Sequence, residues 1–88
     1  MPPASADEIR GTVRAYLLTE FLPGEDPAAL TDQTPLITGG ILDSIASVKL
    51  VSHLEELYGV RFDAHEVSVD YLDTIDLVVD TIQRKLGG

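Results

Sequence analysis

The residues best placed for chemistry are Asp43 and Ser44, which follow the run Gly39-Gly40-Ile41-Leu42. The two glycines predict a turn, and from Ile45 onward apolar residues recur at helical spacing. Asp43 and Ser44 are therefore expected at a helix N-terminus, where unpaired backbone N–H groups and the positive end of the helix dipole favour an anion. A hydroxyl in that place is well set to carry a phosphate ester. The competing interpretation is a plain helix cap, which contributes roughly 1 kcal/mol.

The surroundings of Ser44 argue against a hydrolase nucleophile, which needs a base within hydrogen-bond reach and donors for an oxyanion. His53 lies nine residues further along the same predicted helix, which places it on the opposite face and about 13 Å along the axis. His65 follows a separate loop, and no G-x-S-x-G elbow is present. We therefore expect no catalytic residue, and we expect both histidines to be surface or boundary residues.

A metal site is also not expected. The chain has no cysteine, and Asp70, Asp73 and Asp76 do not follow the spacing of a calcium-binding loop. These aspartates are predicted to be a helix cap and solvated carboxylates.

Composition limits the classes of partner. The chain has 88 residues, enough for one small domain, and a net charge of −9 disfavours nucleic acid and anionic lipid as partners. Residues 43–80 hold nine acidic and two basic residues, a pattern that either steers a basic partner or simply maintains solubility. Without cysteine, any thiol chemistry requires a cofactor. No charged-then-apolar signal segment opens the chain and its apolar runs are short, which predicts a cytoplasmic protein that does not enter a membrane.

The first half of the chain predicts one helix and a long connection. Ser5 and Glu8 form a predicted capping box that opens a helix ending near Leu22. Residues 23–40 form the connection, with a helical turn at 28–31. The apolar residues expected to anchor this connection to the core are Leu30, Leu36 and Ile37.

The second half predicts three further helices. One runs over Ser44–Tyr58 and ends at Gly59, a short one spans 63–67, and a last one opens at Asp73 or Thr74 and stops at Gly87-Gly88. The apolar residues predicted to turn inward are Leu50, Leu54, Leu57, Val60 and Phe62. The chain is thus expected to be all-α, a small four-helix bundle of three main helices and one short helix, with a long loop between helices one and two. Residues 1–4 are predicted to be a flexible leader and 5–88 a single domain.

At this point the chain resembles the acyl carrier proteins, whose Asp-Ser-(Leu/Ile) motif carries a 4′-phosphopantetheine arm on the serine. The resemblance covers about residues 6–86. It is strongest over Gly-Ile-Leu-Asp-Ser-Ile at 40–45 and the helix that follows, and it resumes at 60–62 and 71–77. The helix order and the long first loop agree with it.

The resemblance implies roles for particular residues. Ser44 would receive 4′-phosphopantetheine from coenzyme A through a phosphopantetheinyl transferase, and Asp43 would assist recognition by that enzyme. The second helix would be the docking surface. Its implied partner-binding residues are Ile45, Val48, Ser52, Glu55 and Glu56, and core packing is the alternative for Val48. The chain itself would catalyse nothing.

Departures from the family pattern bear on the pathway. Ala46, Ser47 and Lys49 stand where carriers of fatty-acid synthesis usually have more acids, which favours a dedicated partner set. The motif looks closer to free-standing carriers, including aminoacyl and D-alanyl carriers, and a polyketide carrier stays open. The expected protein is a monomer that an adenylating ligase or acyltransferase loads and a downstream synthase or transferase unloads. A helical adaptor without cofactor is the competing hypothesis.

Overall fold

A computed structural model describes residues 5–87, and this part of the chain is all-helical. In chain order its elements are α1 (Ala6–Glu20), a 3-10 turn (Pro27–Ala29), α2 (Ser44–Tyr58), a second 3-10 turn (Ala64–Glu66), α3 (Val69–Leu72) and α4 (Ile75–Gly87). The predicted fold class and the order of three main helices and one short helix are confirmed. The predicted leader, residues 1–4, lies outside the described residues.

Helix α1 begins at its predicted N-cap, but among the hydrogen bonds of residues 5–87 only the Ser5 half of the predicted capping box is present. The hydroxyl of Ser5 accepts the N–H of Glu8 at 3.2 Å, which makes Ser5 the N-cap. The helix ends at Glu20 rather than near Leu22, because the N–H groups of Phe21 and Leu22 both donate to the carbonyl of Leu17. This shared acceptor closes the helical ladder before Pro23. The buried face of α1 packs against α4.

The long loop is fixed to the bundle by the predicted anchors. Leu30 and Leu36 are fully buried, and Ile37 packs partly buried against the core. Arg14 on α1 donates to the carbonyl groups of Pro27 and Leu30, which ties the first part of the loop to α1. The predicted helical turn at 28–31 begins one residue earlier and ends two residues earlier, at Pro27–Ala29.

Helix α2 has the predicted bounds, and Gly59 ends it with a left-handed φ of 67°. Leu50 and Leu54 are fully buried, as predicted. The prediction that Leu57 belongs to the core is wrong, since Leu57 is 52% exposed. The inward face advances by three or four residues from Leu54, and Tyr58, packed against the core, takes the inward position that Leu57 was expected to fill.

The segment after α2 differs most from expectation. The predicted short helix at 63–67 is a 3-10 turn, and Glu66 Oε1 accepts the N–H of Asp63 at 2.8 Å across it. The α-helical turn lies later, at Val69–Leu72, and was not predicted. Val60 is buried and Phe62 is partly buried against the core, as expected.

Helix α4 completes the bundle. The Thr74 hydroxyl accepts the N–H of Leu77 at 3.1 Å, so Thr74 rather than Asp73 caps this helix. The buried core of the described chain consists of Ile9, Val13, Leu17, Leu30, Leu36, Leu42, Ala46, Leu50, Val51, Leu54, Val60, Leu72, Ile75, Val78, Val79 and Ile82.

Candidate functional site

The site is built at the first turn of α2. Asp43 is in extended conformation and is the N-cap, and its Oδ1 accepts the N–H of Ala46 at 2.7 Å. Ser44 is the first residue of the helix, and its side chain is exposed. The capping interaction therefore belongs to Asp43. The Ser44 hydroxyl stands at the helix N-terminus, open to a visiting molecule.

Ser47 holds the carbonyl group of Asp43 through two hydrogen bonds. It is buried, its N–H donates to the carbonyl of Asp43, and its hydroxyl donates to the same oxygen, both at 2.9 Å. Asp43 is thus held through its side chain and its carbonyl group. From the sequence, Ser47 stood out only as a departure from the family pattern, although its i, i+4 spacing from Asp43 is the signal that predicts such a contact.

The loop before the site closes tightly. Gly40 has a left-handed φ of 82°, and a Cβ on Gly39 would collide with the carbonyl group of Pro35. The N–H of Leu42 donates to the carbonyl of Leu36 at 2.8 Å. Residues 36–42 therefore form a compact turn whose last residue directly precedes Asp43.

A group of hydrogen bonds, here called the Asp73 clasp, ties this turn to the segment between α3 and α4. Asp73 Oδ1 accepts the N–H groups of Ile37 and Thr38, both at 2.9 Å. The Thr38 hydroxyl donates to the carboxylate at 3.0 Å, and the carbonyl of Asp73 accepts the N–H of Leu36 at 2.6 Å. The N–H of Thr38, with its hydroxyl and the other N–H donors, holds the pKa of Asp73 below its ordinary value.

This clasp was not predicted, because the three aspartates at 70, 73 and 76 were expected to be a helix cap and solvated carboxylates. Asp70 is exposed. Asp76 is not simply solvated, since it accepts a hydrogen bond from Arg10 at 3.1 Å and raises the pKa of that guanidinium. Asp73 binds a loop more than thirty positions away in the sequence, a contact that local spacing does not reveal.

An open groove of about 580 Å³ begins at Ser44 and runs between α2 and the segment before α3. Its walls are mostly apolar. The lining residues are Ile37, Leu42, Asp43, Ser44, Ser47, Val48, Val67, Ser68 and Val69.

The residues predicted to bind partners divide into two groups. Ile45 is 69% exposed and Val48 is 57% exposed, so core packing of Val48 is excluded, and Ser52 and Glu56 are exposed as well. Glu55 differs, because its Oε2 accepts the N–H of Phe62 at 2.8 Å. Its carboxylate is thus engaged in holding the end of α2 to the following link.

The histidines are engaged in ring contacts. His53 stacks on Tyr16 with ring centroids 4.1 Å apart, and His65 meets Tyr71 edge to face. Across residues 5–87, no group of three or more potential ligands is arranged to hold a metal ion. Within the same residues, no helix has both the length and the apolar character that a membrane crossing requires.

Comparison with known proteins adds one relative. No family model matches the chain. The chain is 32% identical over 84 residues to a protein named acyl carrier protein from Thermotoga maritima (strain ATCC 43589 / DSM 3109 / JCM 10099 / NBRC 100826 / MSB8). The match covers 96% of this chain and 99% of that relative, so it extends over nearly the whole length of both proteins.

Proposed function

Because the chain belongs to the acyl carrier protein family, we propose that Ser44 carries the family's 4′-phosphopantetheine group. The supporting observation is that the residue that caps α2 and the exposed serine at its start are different residues. Asp43 makes the capping bond, and the Ser44 side chain is left exposed beside it. A serine whose hydroxyl accepted the capping hydrogen bond would be less accessible to a modifying enzyme.

The cofactor fits a protein of this composition. Members of the family carry 4′-phosphopantetheine, whose thiol holds an acyl group as a thioester, and they are carriers rather than catalysts. The chain has no cysteine of its own, so the cofactor would supply its thiol chemistry.

The backbone at the start of α2 suits a phosphodiester. The N–H groups of Ala46 and Ser47 are bonded to Asp43. The N–H groups of Ser44 and Ile45 remain for an anion, within the residues that the structure describes. Together with the helix dipole, they would stabilise the negative charge of the ester. On attachment, Ser44 Oγ bonds to phosphorus, adenosine 3′,5′-bisphosphate leaves coenzyme A, and the hydroxyl proton passes to a base of the transferase.

The exposed apolar pair Ile45 and Val48 is proposed as the centre of the docking surface. The two residues are three positions apart on α2 and therefore share a face of the helix. Ser52 and Glu56 extend this face toward the C-terminal half of α2. A partner enzyme that covers these exposed valine and isoleucine side chains removes their apolar surface from water, which favours binding.

The finer assignment is a dedicated biosynthetic pathway, acyl or aminoacyl, in the cytoplasm. Lys49 supports this assignment because it places a positive charge on the exposed side of α2, next to the apolar pair. A partner enzyme that recognises this face would need an acidic or neutral group opposite Lys49, and basic groups elsewhere. A loading ligase or acyltransferase and a receiving synthase or transferase are the expected partners.

Intact-mass analysis tests the proposal. Incubation with coenzyme A and a broad-specificity phosphopantetheinyl transferase should add the mass of one phosphopantetheinyl group to the wild-type chain. Ser44→Ala should abolish the addition, whereas Ser52→Ala, which changes another exposed serine on α2, should be modified like wild type. An unmodified wild-type chain would favour the cofactor-free adaptor. The mass of the protein from its native cells would identify the cargo.

A further inference from the structure

We propose that Asp73 is a positioning residue for Ser44: the Asp73 clasp fixes the turn that leads into α2, and thereby the place of the Ser44 hydroxyl. The inference rests on the proposed attachment at Ser44. Among the hydrogen bonds of residues 5–87, none joins Asp73 to Ser44 or to a neighbour of Ser44 in the sequence. Its effect would pass through residues 36–42.

The Asp73 clasp consists of strong hydrogen bonds. A carboxylate that accepts two backbone N–H groups and a hydroxyl makes charge-assisted hydrogen bonds, which are stronger than neutral ones. The carbonyl of Asp73 adds the bond from Leu36. One residue therefore satisfies the backbone of three consecutive loop residues, which would otherwise have no regular secondary structure to pair with.

Leu36 and Leu42 connect the Asp73 clasp to the start of α2. Leu36, which the clasp holds, accepts the N–H of Leu42. Leu36 and Leu42 are both buried in the core, so neither can shift without losing packing. Leu42 precedes Asp43, and Asp43 caps the helix that begins at Ser44. The path from Asp73 to Ser44 thus consists of two backbone hydrogen bonds, the buried Leu36 and Leu42, and the peptide bonds that join Leu42 to Asp43 and Ser44.

Asp73 is also linked to two residues that line the groove beside Ser44. Asp73 is the C-cap of α3, and its own N–H donates to the carbonyl of Val69 at 3.3 Å. Val69 lines one wall of the groove, and Ile37, held by the clasp, lines another part of it. Asp73 therefore joins two sides of the groove that begins at Ser44, and it limits how far these sides can separate.

A plain capping role does not account for Asp73. Thr74 caps α4 through Leu77, and the Asp73 carboxylate points instead to the loop. This difference supplies a control, because Thr74→Ala weakens α4 without removing a bond of the clasp. Asp70→Ala supplies a second control, since it removes an exposed carboxylate of α3 and the same charge.

The experiment compares Asp73→Ala with these controls in the unmodified chain and in the labelling reaction. In the unmodified chain, hydrogen exchange at the amides of Ile37, Thr38 and Leu42 should become about tenfold faster in Asp73→Ala, as expected for the loss of charge-assisted bonds. With a phosphopantetheinyl transferase, kcat/KM for the carrier should fall about tenfold, the penalty expected for a misplaced reacting group. Asp73→Asn retains a neutral acceptor for the loop N–H groups and should recover part of both losses.

Thr38→Val keeps the inference testable if Asp73→Ala does not fold, because it removes only the hydroxyl contact and should shift both readouts in the same direction by a smaller factor. Faster exchange with a wild-type labelling rate would overturn the positioning role and leave attachment at Ser44 intact. An equal loss of labelling in Thr74→Ala would overturn it too, since the loss would then reflect stability. A wild-type chain that is never labelled would overturn both proposals.

Discussion

Asp43 Oδ1 accepts the N–H of Ala46 at 2.7 Å, which makes Asp43, and not the neighbouring Ser44, the residue that caps α2. Two adjacent polar residues at a helix start are both candidates for this role in the sequence. The structure separates them, because the side chain of one points to the helix backbone and that of the other is exposed. The capping bond of α2 and the proposed attachment point therefore belong to different residues.

This separation predicts that two alanine substitutions differ in their effect on stability. Asp43→Ala should lower the free energy of unfolding by about 1 kcal/mol through loss of the cap. Ser44→Ala should change it by less than about 0.5 kcal/mol, as for other exposed positions without special contacts. Urea unfolding followed by circular dichroism measures both values. Equal losses in the two variants would mean that the serine hydroxyl is structural.

A second prediction concerns acid. The N–H and hydroxyl of Thr38, together with the N–H groups of Ile37 and Leu36, lower the folded-state pKa of Asp73. Stability from this group is therefore fully present above the unfolded-state pKa and is lost as the pH falls through the lower folded-state pKa. Wild-type stability should decline from about pH 5 downward, and it should decline less steeply in Asp73→Asn. Urea midpoints at several pH values test this, with Asp70→Asn as the control that should follow wild type.

A third prediction contrasts two ion pairs of α4. Lys85 Nζ lies 2.7 Å from Glu66 Oε1, and the two side chains are only 19% and 14% exposed. The ammonium also lies 5.1 Å from the centre of the Phe62 ring. Glu66→Gln keeps an acceptor oxygen but leaves this largely buried ammonium without a charged partner, and it should cost about 1–2 kcal/mol.

The matched pair is Arg84 with Asp80, whose side chains are 63% and 66% exposed. Asp80→Asn should cost less than about 0.5 kcal/mol, because solvent and salt screen such a pair. Denaturant unfolding at low and moderate salt compares the two. A Glu66→Gln variant as stable as Asp80→Asn would show that the Glu66–Lys85 contact contributes little.

Much of the fold follows from local patterns. The bounds of α2 were predictable because a cap, a regular apolar repeat and a terminal glycine all agree. The loop anchors Leu30 and Leu36 were predictable because apolar residues in a polar loop have few places to go other than the core. In contrast, α3 has four residues and one buried side chain, Leu72, which is too short for a periodic signal.

The site was predictable in part for the same reason. Asp43 and Ser44 are adjacent, so their relation to the helix is local and is visible in the sequence. The Asp73 clasp joins residues 36–38 to position 73, and nothing in either segment alone specifies the pairing. Leu57 illustrates a different limit. Its apolar type fits the core, but only the packing of α2 decides whether position 57 or 58 faces inward.

The last prediction separates docking from folding on α2. Ile45 and Val48 are exposed in the free chain, so Ile45→Ala and Val48→Ala should each change the free energy of unfolding by less than about 0.5 kcal/mol. Leu54→Ala, which empties a buried position on the same helix, should cost about 2–5 kcal/mol. If the exposed pair forms the docking surface, both surface variants should be modified more slowly by the transferase, with the loss mainly in KM. The folded fraction of Leu54→Ala should be modified at the wild-type rate. Wild-type kinetics for Ile45→Ala and Val48→Ala would place the docking surface elsewhere on the chain.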